Sequence, residues 1–136
     1  MRKIYEWVDR RGPGVISDWG LQEEQLAKLE EKAGLLRRAE VNERTGKVDL
    51  PQNLLSGPMR MVYKLKIKGR VALRPILCLG PIDRTQEWTF LARAKERDGK
   101  TIPENAEAVA ETRRQEIIAD SSCRRLLWEE SDDPTS

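Results

Sequence analysis

One segment near the middle of the chain alternates strictly between apolar and basic residues. It reads Tyr63-Lys64-Leu65-Lys66-Ile67-Lys68. Because successive side chains of a β-strand point to opposite faces, this segment predicts a strand with one apolar face and one cationic face. The apolar face must pack against a core. The sequence therefore predicts a sheet whose exposed face is basic.

Basic residues are concentrated in the middle of the chain. Residues 1–58 carry 10 basic and 10 acidic side chains, whereas residues 59–100 carry 11 basic and 4 acidic ones, a net charge of +7. Residues 101–136 carry 4 basic and 9 acidic side chains, a net charge of −5. A basic block confined to predicted strands is typical of a site for a polyanion such as a nucleic acid. Lysines that only keep an exposed strand soluble would give a similar pattern.

The length and composition predict one soluble domain. The chain has 136 residues, of which 38% are hydrophobic and 35% charged, enough for one modest core. We expect this domain to span residues 1–128 and the acidic residues 129–136 to form a disordered tail. No segment reads as a signal peptide or a membrane span, which predicts a cytoplasmic protein without a membrane partner.

Histidine is absent from the chain. Its absence excludes histidine-based catalytic triads and histidine metal sites. Cys78 and Cys123 are too few and too widely spaced for a zinc site, and in a cytosolic protein they predict two free thiols. We therefore expect no metal and no cofactor, and any acid–base chemistry must use Lys, Arg, Tyr, Asp or Glu.

Three strands are predicted in the basic block. The first spans residues 61–67, and Gly69 marks a tight turn into a second over residues 71–79, which together predict a hairpin. Pro75 cannot donate to a strand ladder, so it indicates an edge position or a bulge in the second strand. The third strand is predicted over residues 87–94.

Helices are predicted on either side of this block. Apolar residues at spacings of three and four predict a helix over residues 21–39. Residues 95–100 are predicted as a charged loop, followed by a second helix that Thr101 caps and that runs to about Ile118. Residues 4–8 fit either a strand or a helical turn, and residues 123–128 are predicted as a helical turn.

This pattern resembles the phage-derived HigB-type proteins of the RelE toxin superfamily. The matching stretches are residues 63–79 and 87–118. They contain a hairpin of the form aromatic-basic-Leu-basic-Ile-x-Gly-Arg, a strand with an internal arginine, a further strand that ends in a basic loop, and a charged helix after a proline. These two stretches contain 49 of the 136 residues, and residues 1–58 match only in layout.

The resemblance implies a fold, an activity and partners. The fold is a small α+β domain in which helices pack on one face of a mostly antiparallel sheet of three to four strands, while the other face forms a concave basic surface. The activity is that of a toxin of a type II toxin–antitoxin pair, a metal-independent endoribonuclease that cleaves mRNA on the ribosome. The partners are mRNA, the ribosome and a cognate helix-turn-helix antitoxin that covers the basic surface.

Residue by residue, the resemblance implies catalytic roles for Arg74, Lys66 and Lys95. The planar fork of Arg74 would hold the phosphoryl oxygens of the transition state. Lys66 or Lys95 would transfer a proton. Six further basic residues of the block are predicted to contact RNA. These are Lys64, Lys68, Arg70, Arg93, Arg97 and Lys100.

Two features of the sequence favour alternatives. Arg74 is flanked by apolar residues at even spacing, so it is equally a candidate for a structural arginine paired with Glu87 across the sheet. Many toxins of the superfamily use a tyrosine or histidine for proton transfer, whereas this chain has only Tyr5 and Tyr63, of which Tyr63 is predicted in the core. The alternative function is a catalytically inactive phage or prophage module of the same fold that binds a host nucleic acid or protein.

Overall fold

The computed structural model describes residues 2–42, 44–45, 48–49, 54–59 and 61–128. The tail predicted over residues 129–136 lies outside this described part. Within it the chain forms two α-helices, one short 3-10 helix at Ser121–Cys123, and eleven strands. In chain order the helices and strands are β1 (Lys3–Trp7), α1 (Glu23–Arg38), β2 (Glu40–Val41), β3 (Val48–Asp49), β4 (Leu55–Met59), β5 (Val62–Leu65), β6 (Ala72–Leu73), β7 (Ile76–Leu79), β8 (Glu87–Ala92), β9 (Lys95–Arg97), β10 (Lys100–Ile102), α2 (Ala106–Ala119) and β11 (Arg124–Trp128).

The main sheet has six strands in the order β11-β1-β8-β7-β5-β4. All neighbouring pairs are antiparallel except β1 and β8, which are parallel. The predicted α+β class and mostly antiparallel sheet are confirmed, but the sheet is larger than the predicted three to four strands. The helical turn predicted over residues 123–128 is wrong, because β11 there pairs with β1 at the edge of the sheet.

Both faces of the main sheet are covered by helices. Leu29 and Leu36 of α1 pack in one apolar cluster with Trp88 of β8. Ala110 and Ile117 of α2 pack in a second cluster, on the other face. The expectation of helices on one face is therefore wrong. The physical reason is visible in β7 and β8, where every residue is buried, since a strand buried on both sides needs cover on both sides.

The two cysteines are unpaired and Tyr63 is buried, as the sequence predicts. Cys78 is buried and Cys123 is half-buried, and both are free thiols as predicted. Tyr63 lies in the core, as predicted, with its ring edge-on to Trp88. In the part of the chain that the structure describes, neither helix is long and apolar enough to cross a membrane.

The predicted hairpin is confirmed, and its second strand is split. Tyr63 of β5 pairs with Leu77 of β7. The break falls at Arg74 and Pro75, between β6 and β7, where proline was expected to disturb the ladder. Beyond the break, β6 leaves the main sheet and pairs with β9, which pairs with β10. These three short strands form a second sheet.

The charged loop predicted over residues 95–100 is wrong, because it is the β9–β10 hairpin. Its two turn residues are Asp98 and Gly99, with φ angles of 52° and 75°. Two consecutive positive φ angles are typical of a type I′ turn, for which Asp-Gly is a preferred sequence. The predicted cap at Thr101 is also wrong, since Thr101 belongs to β10 and α2 begins at Ala106.

A buried carboxylate fixes the loop between β1 and α1. Glu6 is 1% exposed, and its carboxylate accepts hydrogen bonds from the backbone N–H of Ile16 (2.9 Å) and of Ser17 (2.9 Å) and from the Ser17 hydroxyl (2.8 Å). Arg125 of β11 adds a fourth contact at 3.3 Å. Because a buried carboxylate is stable only when its oxygens are bonded, these contacts tie the loop to both β1 and β11.

Replacing this carboxylate tests its structural role. We expect Glu6→Gln to lower the free energy of unfolding by about 2–4 kcal/mol, because the amide group cannot accept all four bonds and loses the charge that faces Arg125. Urea denaturation followed by circular dichroism measures the change. The control is Glu30→Gln on the exposed side of α1, for which we expect a change within about 0.5 kcal/mol. Equal stability of both variants would contradict the assigned role.

Candidate nucleic-acid interface

The second sheet carries basic side chains on one of its faces. Its strand register places Lys95 between Leu73 and Ile102, and Arg97 opposite Lys100. Directly opposed residues point to the same side of a sheet, and alternate residues share that side. The side so formed begins with Leu73, which is buried, and continues into exposed residues that we call the hairpin face: Lys95, Arg97, Lys100 and Ile102.

The cations of the hairpin face have no internal counter-charge. Lys95, Arg97 and Lys100 are all exposed, and none forms an ion pair with another described residue. Arg97 and Lys100 also stand directly opposite each other, an arrangement of like charges that destabilises a strand pair. A surface of this kind attracts polyanions, because an arriving phosphate relieves the repulsion.

A pocket of about 400 Å³ opens at the hairpin face. Two of its lining residues, Val71 and Ile102, are apolar yet 41% and 43% exposed. Arg70, Lys95 and Arg97 also line the pocket. Glu96 lines the pocket as well, but its carboxylate is bound to Arg74. Exposed apolar surface beside three cations matches the chemistry of a nucleotide, which combines a phosphate with a sugar and a base.

A second pocket, of about 530 Å³, continues from the first. It lies between the N-terminal half of α1 and residues 67–73, and it shares Arg70 and Val71 with the first pocket. Lys68 contributes a further cation, whereas the charge of Lys28 is offset by Glu24, which also lines the pocket and lies 3.9 Å from Lys28 Nζ. The two pockets therefore form a continuous basic groove that runs from the hairpin face to α1.

The three residues predicted to be catalytic lie on adjoining segments of the chain. Ile67 bridges to Leu73, and Leu73 pairs with Lys95. Strand alternation then places Lys66 and Arg74 on one side and Lys95 on the other. The structure brings these three backbone segments together but does not direct the three side chains to one face.

Arg74 is held by intramolecular bonds. Its side chain is 13% exposed, and Nη1 donates to the carbonyl oxygens of Leu73 (2.9 Å) and Ile67 (3.3 Å), while Nη2 binds Glu96 at 2.9 Å. The alternative pairing with Glu87 is wrong, because Glu87 binds Arg124. Arg74 thus joins β6, β9 and the segment after β5.

The residues predicted to contact RNA fall into two groups. Lys68, Arg70, Arg97 and Lys100 lie in the groove or on the hairpin face. Lys64 and Arg93 do not. Lys64 lies on the side that α2 covers, with Nζ 2.7 Å from Glu107 and 2.7 Å from Thr101, so the predicted open basic face does not exist at this position.

Arg93 lies at a different site. Its guanidinium donates to the carbonyl oxygens of Val15 (2.7 Å) and Gly14 (3.2 Å), in a pocket beside α2. Sequence reasoning missed the exposed apolar residues Val71 and Ile102 of the groove. The Asp98-Gly99 pair is the signal that would have found the hairpin that positions them.

The chain matches no protein-family model, no curated protein and no solved structure. The resemblance to HigB-type proteins therefore rests on the sequence pattern of residues 63–79 and 87–118, and it stays a prediction. The fold differs from the implied one in the number of strands and in the placement of the helices on both faces.

Arg74→Met separates a structural role of this arginine from a purely catalytic one. We expect the variant to lower the free energy of unfolding by about 1–3 kcal/mol, because Glu96 loses its charged partner and two carbonyl oxygens keep only their backbone donors. Urea denaturation measures the change. Arg84→Met, at an exposed arginine between β7 and β8, is the matched control and should change stability by no more than about 0.5 kcal/mol. Unchanged stability of Arg74→Met would show that its intramolecular bonds do not support the fold.

Proposed function

We propose that the protein binds single-stranded RNA along the groove that begins at the hairpin face. The observation that supports this most directly is the set of three exposed cations, Lys95, Arg97 and Lys100, which lack ion-pair partners among the described residues. They stand next to the exposed apolar side chains Val71 and Ile102. Phosphates would bind the cations, while sugars or bases would cover the apolar positions.

Single-stranded RNA fits this groove better than duplex DNA does. Sequence-specific DNA binding commonly places a basic helix in the major groove. Here α2 carries three glutamates against two arginines, and one of these, Arg114, is bound to Glu111 at 2.8 Å. The free cations instead lie on a hairpin and a neighbouring loop. Arg70 and Arg97 supply planar forks that can each bind two phosphate oxygens.

Binding without cleavage is the form of this function that the geometry supports best. The guanidinium expected to stabilise the cleavage transition state, that of Arg74, is engaged with Glu96 and two carbonyl oxygens. Electrostatic catalysis requires donors aimed at the reacting phosphate, and these donors are aimed at the protein itself. The protein is then an RNA-binding module, and its partners within a cell are RNA and any protein that covers the same face.

The second candidate is the toxin endoribonuclease neutralised by an antitoxin. Besides the sequence pattern, one observation favours it: the register places Lys95 directly opposite Leu73, the neighbour of Arg74, at the edge of the basic groove. Lys66, half-buried on the adjoining segment, is the other candidate for proton transfer. Cleavage by these residues would require Arg74 to release its internal partners or another arginine to replace it.

The salt dependence of RNA binding tests the assigned surface. Each phosphate contact contributes about −0.7 to the slope of log K against log salt for a single strand. We expect Lys95→Gln, Arg97→Gln and Lys100→Gln each to reduce that slope by about this amount, and their combination to reduce it by about three times as much. Fluorescence anisotropy with a labelled single-stranded RNA measures it.

Arg84→Gln is the matched control for the salt experiment. It removes one exposed cation between β7 and β8, at the end of β8 that lies away from the hairpin. We expect the slope to stay at the wild-type value. An equal loss in the control and in the hairpin variants would mean that binding is a general effect of net charge, and the proposed surface would be wrong.

A cell-free translation reaction with an end-labelled message separates the two candidate functions. We expect the message to stay full length at protein concentrations that saturate RNA binding, because Arg74 is held internally. Ribosome-dependent fragments that disappear in the Lys95→Ala and Lys66→Ala variants would contradict this and would support the toxin. The binding assay on the same preparations verifies that each variant is active in RNA binding.

A further inference from the structure

A third pocket lies on the α2 side of the main sheet and shares no lining residue with the basic groove. Its volume is about 410 Å³, within the range of sites for small organic ligands. It is enclosed by the end of β1 and the loop that follows, by the end of β8, and by the first half of α2. Much of its wall is apolar. The apolar lining residues are Trp7, Pro13, Val15, Ala92, Pro103, Ala106 and Val109.

Two arginines line this pocket, and both are held by neutral groups. Arg93 donates to the carbonyl oxygens of Val15 (2.7 Å) and Gly14 (3.2 Å). Arg113 donates to the carbonyl oxygen of Leu91 (2.9 Å), and its guanidinium carbon lies 4.0 Å from the centre of the Trp7 ring. Neither arginine forms an ion pair with any described residue, so the positive charge of each is not neutralised by a contacting carboxylate.

The acidic groups near the pocket accept hydrogen bonds from residues other than Arg93 and Arg113. Asp9 lines the pocket, and its Oδ1 accepts from the backbone N–H of Arg11 (3.1 Å). Glu116 accepts from the indole N–H of Trp7 (3.3 Å). Burial lowers the pKa of Arg113, and the charge of Arg93 adds to this effect while Glu116 and Asp9 oppose it. An arginine stays protonated in proteins, so the result is a cation that lacks full solvation.

Several guanidinium N–H groups of Arg93 and Arg113 have no acceptor among the described hydrogen bonds. These bonds use only Nε and Nη2 of Arg93 and only Nη1 of Arg113. Donors on two cations beside a concave apolar wall match a ligand with an anionic head, since a low-dielectric surface strengthens their field. Asp9 at the same pocket carries one negative charge against the two positive charges of the arginines, so the lining keeps a net charge of +1.

We propose that this pocket binds a small organic anion, whose carboxylate or phosphate head is held by Arg93 and Arg113. The apolar or aromatic body of the ligand packs against Val15 and Val109. This site is independent of the RNA-binding surface. It also gives Arg93, which the sequence assigned to RNA, a ligand of a different class.

Benzoate and phenyl phosphate are the probes, and benzamide, which has the shape of benzoate without its charge, is the control ligand. Binding is followed by ¹H–¹⁵N NMR at the indole N–H of Trp7, assigned with Trp7→Phe. We expect saturable shifts with at least one of the two anions at up to about 10 mM, ten times a millimolar Kd. Arg93→Gln and Arg113→Gln should each weaken binding about tenfold, the effect of losing one charged hydrogen-bond partner.

Arg114→Gln is the matched protein control. This arginine is the next residue on α2, but Glu111 holds its guanidinium through two bonds of 2.9 and 2.8 Å. We expect its substitution to leave anion binding unchanged. If the Arg93 and Arg113 variants fail to fold, Val109→Phe tests the proposal instead. Its larger side chain fills the pocket while both arginines remain, so we expect it to abolish anion binding.

Several results would overturn the proposal. They are shifts of equal size with benzamide, saturation by inorganic phosphate alone, no shift with either organic anion, or unchanged anion binding in Val109→Phe. The combined hairpin variant, Lys95→Gln with Arg97→Gln and Lys100→Gln, should bind benzoate or phenyl phosphate as the wild type does. Failure of RNA binding and failure of anion binding are therefore distinguishable.

Discussion

The main sheet is buried on both faces, and this double burial decides where a charged surface can form. Strands β7 and β8 are buried at every position, with α1 on one side and α2 on the other. A lysine on such a sheet must find a partner or lie at an edge, because an unpaired buried charge is costly. Lys64 illustrates the first outcome through its contacts with Glu107 and Thr101. Strands β7 and β8 therefore leave no room for free cations, and Lys95, Arg97 and Lys100 gather where the chain has left the main sheet.

The chain leaves the main sheet at Arg74 and Pro75. Proline supplies no donor to the ladder, and β6 diverges toward β9 at this point. The guanidinium of Arg74 then bonds to Ile67, Leu73 and Glu96, which fixes the small sheet against the end of the main one. The contact with Arg74 neutralises Glu96, which leaves Lys95, Arg97 and Lys100 against Asp98, a net charge of +2 for the rest of residues 95–100. In this way a structural arginine supports the hairpin face without forming part of it.

Sequence patterns predicted the parts of the fold that depend on local periodicity. The first helix, the hairpin at Gly69, the third strand and the disturbance at Pro75 follow from spacing and turn chemistry. Which strands pair with each other in the sheet was harder to predict. Strand β1 pairs in parallel with β8 and antiparallel with β11, both far away in sequence, and such short segments do not encode these pairings. The alternation at Tyr63–Lys68 predicted one open face, whereas α2 covers the side on which Lys64 lies.

At the candidate site, too, local composition was predictable from the sequence and the long-range arrangement of side chains was not. The charge count located a basic region correctly, because net charge depends only on composition. It did not separate Lys64 and Arg93, which have internal partners, from Lys95, Arg97 and Lys100, which have no ion-pair partner among the described residues. That separation depends on cross-strand register, where a shift by one residue exchanges the two faces.

The most direct test of the account is an NMR titration of the ¹⁵N-labelled protein with a short single-stranded RNA. If the hairpin face and its groove bind RNA, the amide shifts should concentrate in residues 68–72 and 95–102. The amides of α2 and of the edge strand β11 should stay in place. Shifts centred on α2 or β11, with the hairpin amides unmoved, would contradict the central claim and place the RNA on a different surface.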